Sequence, residues 1–430
     1  LIIESLMQYF YIYWANWLGQ SVIRDLRMQV YNHILNLKQK YFDITPIGTL
    51  VTRVVSDIET IADIFSQGLL VIIGDILKLL VVLAVMFATD WRLTLFSLAS
   101  IPILLLATYW FKSSIKSAFQ EVRAQVSALN TFVQERIVGM RIVQLFNREK
   151  VEYENFKAIN QLHKKAHIRS IWYYSIFFPI VEILSAFSIG LLIWWGGVEA
   201  ATGTEVTLGE LVAFILYIHM MFRPIRQLAD RFNILQMGMV ASERVFNILD
   251  TDEVIENKGS IQVDNIEGDI EFKNVWFAYN DEDWVLKDVS FRVKQGQTLA
   301  LVGATGSGKS SIINLLTRNY NHNKGEVLID GVNYLNYELS SLRSKMSIVL
   351  QDVFLFSDSI LNNITLDKSI SLELVKESAK KIGVDSFIED LPEPYHFNVQ
   401  ERGAMLSVGQ RQLISFLRAY IINPNILILD

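Results

Sequence analysis

Five stretches in the first half of the chain are each apolar over nearly the length of a lipid-spanning helix, and nothing else in the sequence limits the possible folds as much. Crossing a hydrocarbon core takes roughly 20 residues of α-helix. The stretches cover about residues 1–18, 69–88, 93–111, 171–195 and 208–222. Aromatics crowd the first (Tyr9, Phe10, Tyr11, Tyr13, Trp14 and Trp17), and a tight corner of Thr89, Asp90, Trp91 and Arg92 parts the second from the third. The fifth is shorter and is expected to continue as helix past Pro224. A single such stretch would suit a buried core helix, but five in half of a chain read as a polytopic membrane domain. With 51% hydrophobic and only 20% charged residues over 430 positions, the composition agrees.

Charge orients the spans. Between residues 112 and 169 stand eleven Lys and Arg, among them Lys116, Arg123, Arg136, Arg141, Arg148, Lys164 and Lys165. The 19–66 connection is also basic (Arg24, Arg27, Lys38, Lys40, Arg53), whereas 196–210 has no basic residue and three glutamates, Glu199, Glu205 and Glu210. Basic loops stay on the cytoplasmic side, so the two long connections are inside and the acidic one outside. Val126, Leu129, Phe132, Val133 and Ile137 recur at three- and four-residue spacing, so the spans continue as helix into the cytoplasm. This parity puts residue 1 near the outer face and implies one further preceding span, six in all. The chain opens on Leu1 inside an apolar run and closes on Asp430 at the end of another, so it is expected to be a piece of a longer protein.

Hydrophobicity falls after about residue 240. Residues 241–267 read as a linker, polar and turn-rich from 250 onward, between a membrane domain at 1–240 and a soluble domain at 268–430. In the latter, short strand-like runs such as Ile270, Glu271, Phe272 and 298–302 alternate with helical ones, the pattern of an α/β domain. The chain has no cysteine, which excludes disulfides, zinc–thiolate sites and thiol catalysis, and its six histidines show no metal-cage spacing.

The strongest chemical motif is Gly303, Ala304, Thr305, Gly306, Ser307, Gly308, Lys309, Ser310, then Ser311. It fits G-x-x-x-x-G-K-[ST] between an expected strand at 298–302 and a helix opening at Ser311, the context of a phosphate-binding loop. The glycines let successive N–H groups face phosphate, and the helix N-terminus adds its positive end. Lys309 is expected to reach the β- and γ-phosphates of ATP and Ser310 to hold Mg²⁺ through its hydroxyl. About 120 residues on, Ile426, Leu427, Ile428 and Leu429 lead into Asp430, an apolar strand ending in an acid that supports Mg²⁺ through water.

Between the two lie Leu406, Ser407, Val408, Gly409 and Gln410, followed by Arg411 and Gln412. This run resembles the L-S-G-G-Q signature of ATP-binding-cassette (ABC) proteins. Gln351, after Val349 and Leu350, looks like that family's Q-loop; Tyr279, after Phe277 and Ala278, like its adenine-stacking aromatic; and Gln400 to Gly403 like the short motif that exporters place before the signature. In the membrane half, the 41–48 and 56–59 segments look like the first intracellular loop of ABC exporters and 139–149 like the second. The resemblance spans essentially the whole chain. It implies an exporter-type half-transporter, with a six-helix membrane domain (first helix missing here) fused to an α/β P-loop ATPase and working as a dimer in the bilayer. It also implies that Ser407, Gly409 and Gln410 complete an ATP site across the dimer interface, with Gln351 near Mg²⁺ and water. The family's catalytic Glu and switch His fall beyond Asp430.

Val408 stands where most signatures have Gly. Two readings remain open: neutral variation, or a heterodimer with one impaired site, in which case the residue after Asp430 is expected to be Glu. Substrate is less constrained. The first-span aromatics with Trp172, Tyr173, Tyr174, Phe177 and Phe178 either line a cavity for hydrophobic or amphiphilic compounds or face lipid. Asp75, Lys78 and Glu182 are intramembrane ionisable residues and so candidate functional positions, with Asp75 and Lys78 spaced to pair. The expected activity is ATP-driven export or flipping of a drug-like compound or lipid at a bacterial inner membrane, the ATPase facing the cytoplasm. Export of peptides and a regulatory, non-pumping role stay open, whereas a soluble ATPase acting on nucleic acid fits neither the five spans nor the basic inner loops.

Overall fold

In the computed structural model the described residues are 2–202, 206–280, 282–366 and 369–430; Glu205 of the acidic loop lies outside them. The helical half contains α1 (Ile2–Leu35), α2 (Gln39–Ile44), α3 (Ile47–Thr52), α4 (Ile58–Asp63), α5 (Leu70–Thr89), α6 (Trp91–Leu98), α7 (Ile101–Val138), α8 (Met140–Leu145), α9 (Glu149–Thr202) and α10 (Leu208–Leu249). At 1.5 Å per residue α9 is about 80 Å long and α7 nearly 60 Å, so each extends far past a ~30 Å hydrocarbon core. By length and composition, three continuous helical stretches among the described residues can cross a membrane: Ile47–Thr89, Trp91–Val138 and Glu149–Ala201. The first and fifth apolar stretches are helical too, in α1 and α10. In α1, Gln8, Asn16 and the Tyr and Trp side chains make the run less apolar than the other three.

The chain divides into two compact units, Leu1–Tyr31 with Val51–Leu249, and Asn32–Leu50 with Asp250–Asp430. In the first unit, the Thr89 corner forms because Asp90 leaves helical geometry (φ −155°) and its Oδ1 accepts from the Leu93 N–H at 2.7 Å, capping α6. The core joins α5, α6, α7, α9 and α10 around Phe111 stacked on Phe177 at 4.1 Å, with the buried Ser100 and Ser188 hydroxyls 2.5 Å apart. Outside this core Leu77, Val81, Leu106, Ile183 and Trp194 are well exposed, as lipid-facing side chains must be.

Two π-helical turns, Arg53–Asp57 and Ile64–Leu69, flank α4. Along this stretch α10 approaches closely enough that a Cβ on Gly238 would stand 2.1 Å from Ile64 Cγ1. Nearby the buried Asp57 meets Arg53 at 2.6 Å and Arg244 at 3.8 Å, pairing that stabilises a carboxylate removed from water.

In the second unit β1 (Ile270–Ala278) pairs antiparallel with β2 (Trp284–Val293) and β3 (Lys324–Ile329). The short β4 (Val332–Asn333) completes the order β2-β1-β3-β4. Between β2 and β3 lies α11 (Lys309–Leu316). After α12 (Leu339–Arg343), β5 (Met346–Val349) runs parallel to β6 (Ile426–Leu429), joined through α13 (Ile360–Thr365), α14 (Leu372–Lys381), α15 (Asp385–Glu389) and α16 (Val408–Ile421). One core gathers Phe272, Phe277, Leu315 and Val327 from the strands and α11, and another gathers Ile364, Val375, Ile388 and Leu417 from the helices.

The 298–302 run, expected as a strand, forms no ladder among the described residues. Its Val302 is 90% exposed, and with β6 it borders a cavity of about 740 Å³. Strand-like composition provides side chains that suit a pleat but cannot supply a neighbour's N–H and C=O in register. Substituting Gly238→Val should force Ile64 and the helix pair apart and lower stability by about 1–3 kcal/mol. Thermal unfolding in detergent checks this, and Gly190→Ala, with no atom within 4 Å of its Cβ, should leave the midpoint unchanged.

Candidate nucleotide site

The phosphate-loop geometry begins with two glycines that other residues would not replace. Gly306 and Gly308 have φ of +86° and +89°, in the left-handed region that L side chains avoid, and a Cβ on Gly308 would meet Leu286 Cδ2 at 2.7 Å. Gly308 is the N-cap of α11, so the loop delivers a helix N-terminus directly after the turn. Lys309 Nζ reaches back to donate to the carbonyls of Gly303 (2.9 Å) and Ala304 (3.0 Å), placing an ammonium over the loop. A cation beside a glycine-rich turn and a positive helix end is an arrangement suited to a polyphosphate.

The partner of Ser310 converges from 120 residues away. Ser310 Oγ donates to Asp430 Oδ1 at 3.4 Å, and Asp430 is held by its own N–H donating to Val349 O at 2.9 Å across the β5–β6 pair. Two hard oxygen donors at a helix N-terminus suit Mg²⁺. Gln351 follows two residues after Val349, exposed at the end of β5. Ser310, Asp430 and Leu350 line a second cavity of about 380 Å³ that reaches Arg343 and Ser347.

Tyr279 is half-buried against α11. Its hydroxyl lies 3.0 Å from Ser311 Oγ and accepts from Asn314 Nδ2 at 3.4 Å, while its ring meets Phe277 and Tyr320 edge-on at 4.7 and 5.0 Å. Ser407, Gly409 and Gln410 sit apart from this cluster; no hydrogen bond joins them to the loop among the described residues. Instead they begin α16 with a reciprocal capping box. Gln410 N–H donates to Ser407 Oγ (3.2 Å) and Ser407 N–H donates to Gln410 Oε1 (2.8 Å). Ser407, Val408 and Gly409 are all exposed at that helix N-terminus, Val408 by 64%.

Sequence reasoning passed over a supporting network. Arg418 on α16 donates to Asn363 O at 2.7 Å and to Phe354 O at 3.3 Å, and Asn363 donates to Phe356 O and Ser359 O, bracing the segment after Gln351 against the signature helix. Burial lowers the Arg418 pKa, and the carbonyls it reaches receive its donors. An Arg on the apolar side of an amphipathic helix was the available signal.

Residues 1–225 match the family model described as the ABC transporter transmembrane region, and residues 286–430 match that described as ABC transporter. The chain belongs to the ABC transporter family. An uncharacterised ABC transporter ATP-binding protein of Bacillus subtilis (strain 168) is 38% identical over 421 residues, 97% of this chain and 70% of that protein. A second protein of that strain, named for multidrug export, is 34% identical over 433 residues, 100% of this chain and 74% of its own length. An ATP-dependent lipid A-core flippase of Pseudoalteromonas translucida (strain TAC 125) is 33% identical over 422 residues, 97% of this chain and 72% of the flippase. The fold is that of a bacterial Atm1-family ABC exporter with ATP bound (TM-score 0.77, 24% identity, 96% of this chain and 73% of that chain). The chain is therefore an integral membrane protein of ABC exporter type, with an ATPase domain coupled to transport.

Capping and phosphate recognition at Ser407 separate by substitution. Ser407→Ala should lower stability by about 0.5–2 kcal/mol, and Ser407→Asp, an equally good cap, should restore it. If Ser407 also meets a γ-phosphate, the carboxylate variant stays inactive despite its recovered thermal midpoint, whereas recovered ATPase activity would mean that capping is its whole role.

Proposed function

We propose that this chain is one half of an ATP-driven exporter or flippase that moves hydrophobic or amphiphilic compounds, drug-like or lipid, across a bacterial inner membrane by alternating access. The carrying observation is the approach of Ser310 to Asp430 at the N-terminus of α11, behind a loop whose glycines adopt left-handed backbone. On this reading Lys309 and the N–H groups of the 303–310 loop hold the β- and γ-phosphates, and Ser310 and Asp430, with Gln351 beside them, hold Mg²⁺. The metal's charge offsets that of the phosphates. The Tyr279 ring stacks on adenine.

A second chain completes each site. Ser407, Gly409 and Gln410 cap α16 toward solvent, the presentation needed to meet a γ-phosphate bound by another subunit. ATP then joins the two ATPase domains, and hydrolysis releases them. Differential affinity of the closed pair for ATP over ADP drives the cycle. Val408 packs on little of its own chain, so its bulk bears on whatever approaches α16, and a non-identical partner with unequal sites is the reading in which that bulk has a role. The relatives named for multidrug export and lipid A-core flipping support a bulky amphiphilic cargo.

The full-length protein, with any partner co-expressed, is reconstituted in liposomes, and ATP-dependent movement of Hoechst 33342 and of a fluorescently labelled phospholipid is followed. Movement of either with ATP, lost in Lys309→Ala with a fall of more than about a hundredfold in ATPase rate, is expected. Hydrolysis that neither compound stimulates and that moves neither would overturn the reading. Val408→Gly should raise the ATPase rate if this signature faces an impaired site, and an unchanged rate would assign Val408 to neutral variation.

A further inference from the structure

Residues 32–50, from the connection between the first two apolar stretches, belong to the same compact unit as the ATPase domain. One side chain links this segment to the aromatic group beside the phosphate loop. Tyr320 follows α11 by four residues and is fixed to that helix by its N–H donating to Asn314 O at 3.3 Å. Its ring packs edge-on against Tyr279 (5.0 Å) and Phe277 (5.6 Å). Its hydroxyl donates to Asp43 Oδ2 on α2, and Asp43 Oδ1 accepts in turn from Gln39 Nε2 at 2.9 Å. Asn314 therefore holds both ends of this group, by its carbonyl to Tyr320 and by its amide to the Tyr279 hydroxyl.

The result is a continuous path of contacts: Ser311 on α11, Tyr279, Tyr320, then Asp43 on α2. Each contact is short and directional. Edge-to-face rings lose energy when one tilts, and a hydroxyl–carboxylate bond weakens steeply with misalignment. A planar ligand laid on Tyr279 would thus be felt at Asp43. A triphosphate lacking a base would engage the loop and the Ser311 end of the path but leave the face of the Tyr279 ring uncovered.

We propose that Tyr320 is a positioning residue that transmits occupancy of the Tyr279 ring by a nucleobase to the first cytoplasmic loop through Asp43. This rests on the reading of Tyr279 as the adenine platform. It gives Tyr320 a role distinct from phosphate binding, and it makes the base, not only the γ-phosphate, part of the signal that reaches the membrane-side helices.

The test is hydrogen–deuterium exchange on the full-length transporter in lipid nanodiscs, with Mg-ATP or Mg-tripolyphosphate as probe. In the wild type both probes should protect the 303–312 backbone, but only Mg-ATP should protect 38–44. Tyr320→Phe keeps the ring contacts and removes the donor. It should cut protection of 38–44 by about threefold or more, with the KM for ATP within about twofold of wild type. Asp43→Ala should reproduce this loss from the other side, and Asp43→Asn, whose amide oxygen still accepts, should restore protection. Full protection of 38–44 in Tyr320→Phe, or equal protection of the wild-type loop by tripolyphosphate, would overturn the inference. A wild-type 303–312 backbone that ATP fails to protect would instead overturn the nucleotide-site reading beneath it.

Discussion

A nucleotide site can do work on a membrane helix only through a rigid connection, and a scrap of β-structure fixes the segment after α1 to the ATPase unit. Leu37 pairs antiparallel with Val254, Lys38 N–H donates to Glu253 O and Ile255 N–H donates to Asn36 O, both at 2.7 Å. Leu37 is almost fully buried, so the exchange of backbone bonds is sealed from competing water. Lys38 Nζ adds an ion pair to Glu256 at 2.8 Å, and with Lys258 it holds that carboxyl down to about 2. This exposed pair contributes direction more than energy. The stitch makes the loop after α1 part of the ATPase unit, and α2 is carried with it.

The backbone and placement of the candidate site were legible because they depend on residue types that few other arrangements demand. Gly306 and Gly308 are glycine because the turn needs positive φ, and Lys309 and Ser310 then fall in the first turn of α11. Asp430 was legible from the apolar strand it ends, and its approach to Ser310 brings the two distant motifs together. The signature at Ser407 could be read as a sequence, but its capping box could not be separated from its resemblance without coordinates.

What escaped the sequence were relations between segments. The unit boundary at residues 32–50 follows from the backbone pairing at Leu37, which leaves no periodic signature. The run at 298–302 has strand composition but no ladder, because pairing depends on a neighbour. The π turns around α4 and the fit of Gly238 against Ile64 arise from two helices approaching closely, and neither segment announces it alone. Tyr320 belongs to none of the motifs, and its neighbours Tyr279 and Asp43 are far from it in sequence.

The helical half illustrates a second constraint. In hydrocarbon an unpaired backbone group costs several kcal/mol, so spans stay helical and specificity moves to side chains. The long helices α7 and α9 therefore run on past the length of a hydrocarbon core, and at their α8 ends Glu152 bridges Arg136 and Arg148. In the proposed cycle ATP draws two such assemblies together. With Arg141→Cys on the exposed face of α8, a cysteine at the matching position of the partner and any other cysteine of the full-length chains replaced, the reconstituted transporter carries one spin-label pair whose separation electron paramagnetic resonance reads directly. Mg-ATP should move the distance distribution to shorter values, and hydrolysis should return it. An identical distribution with and without Mg-ATP would contradict the account.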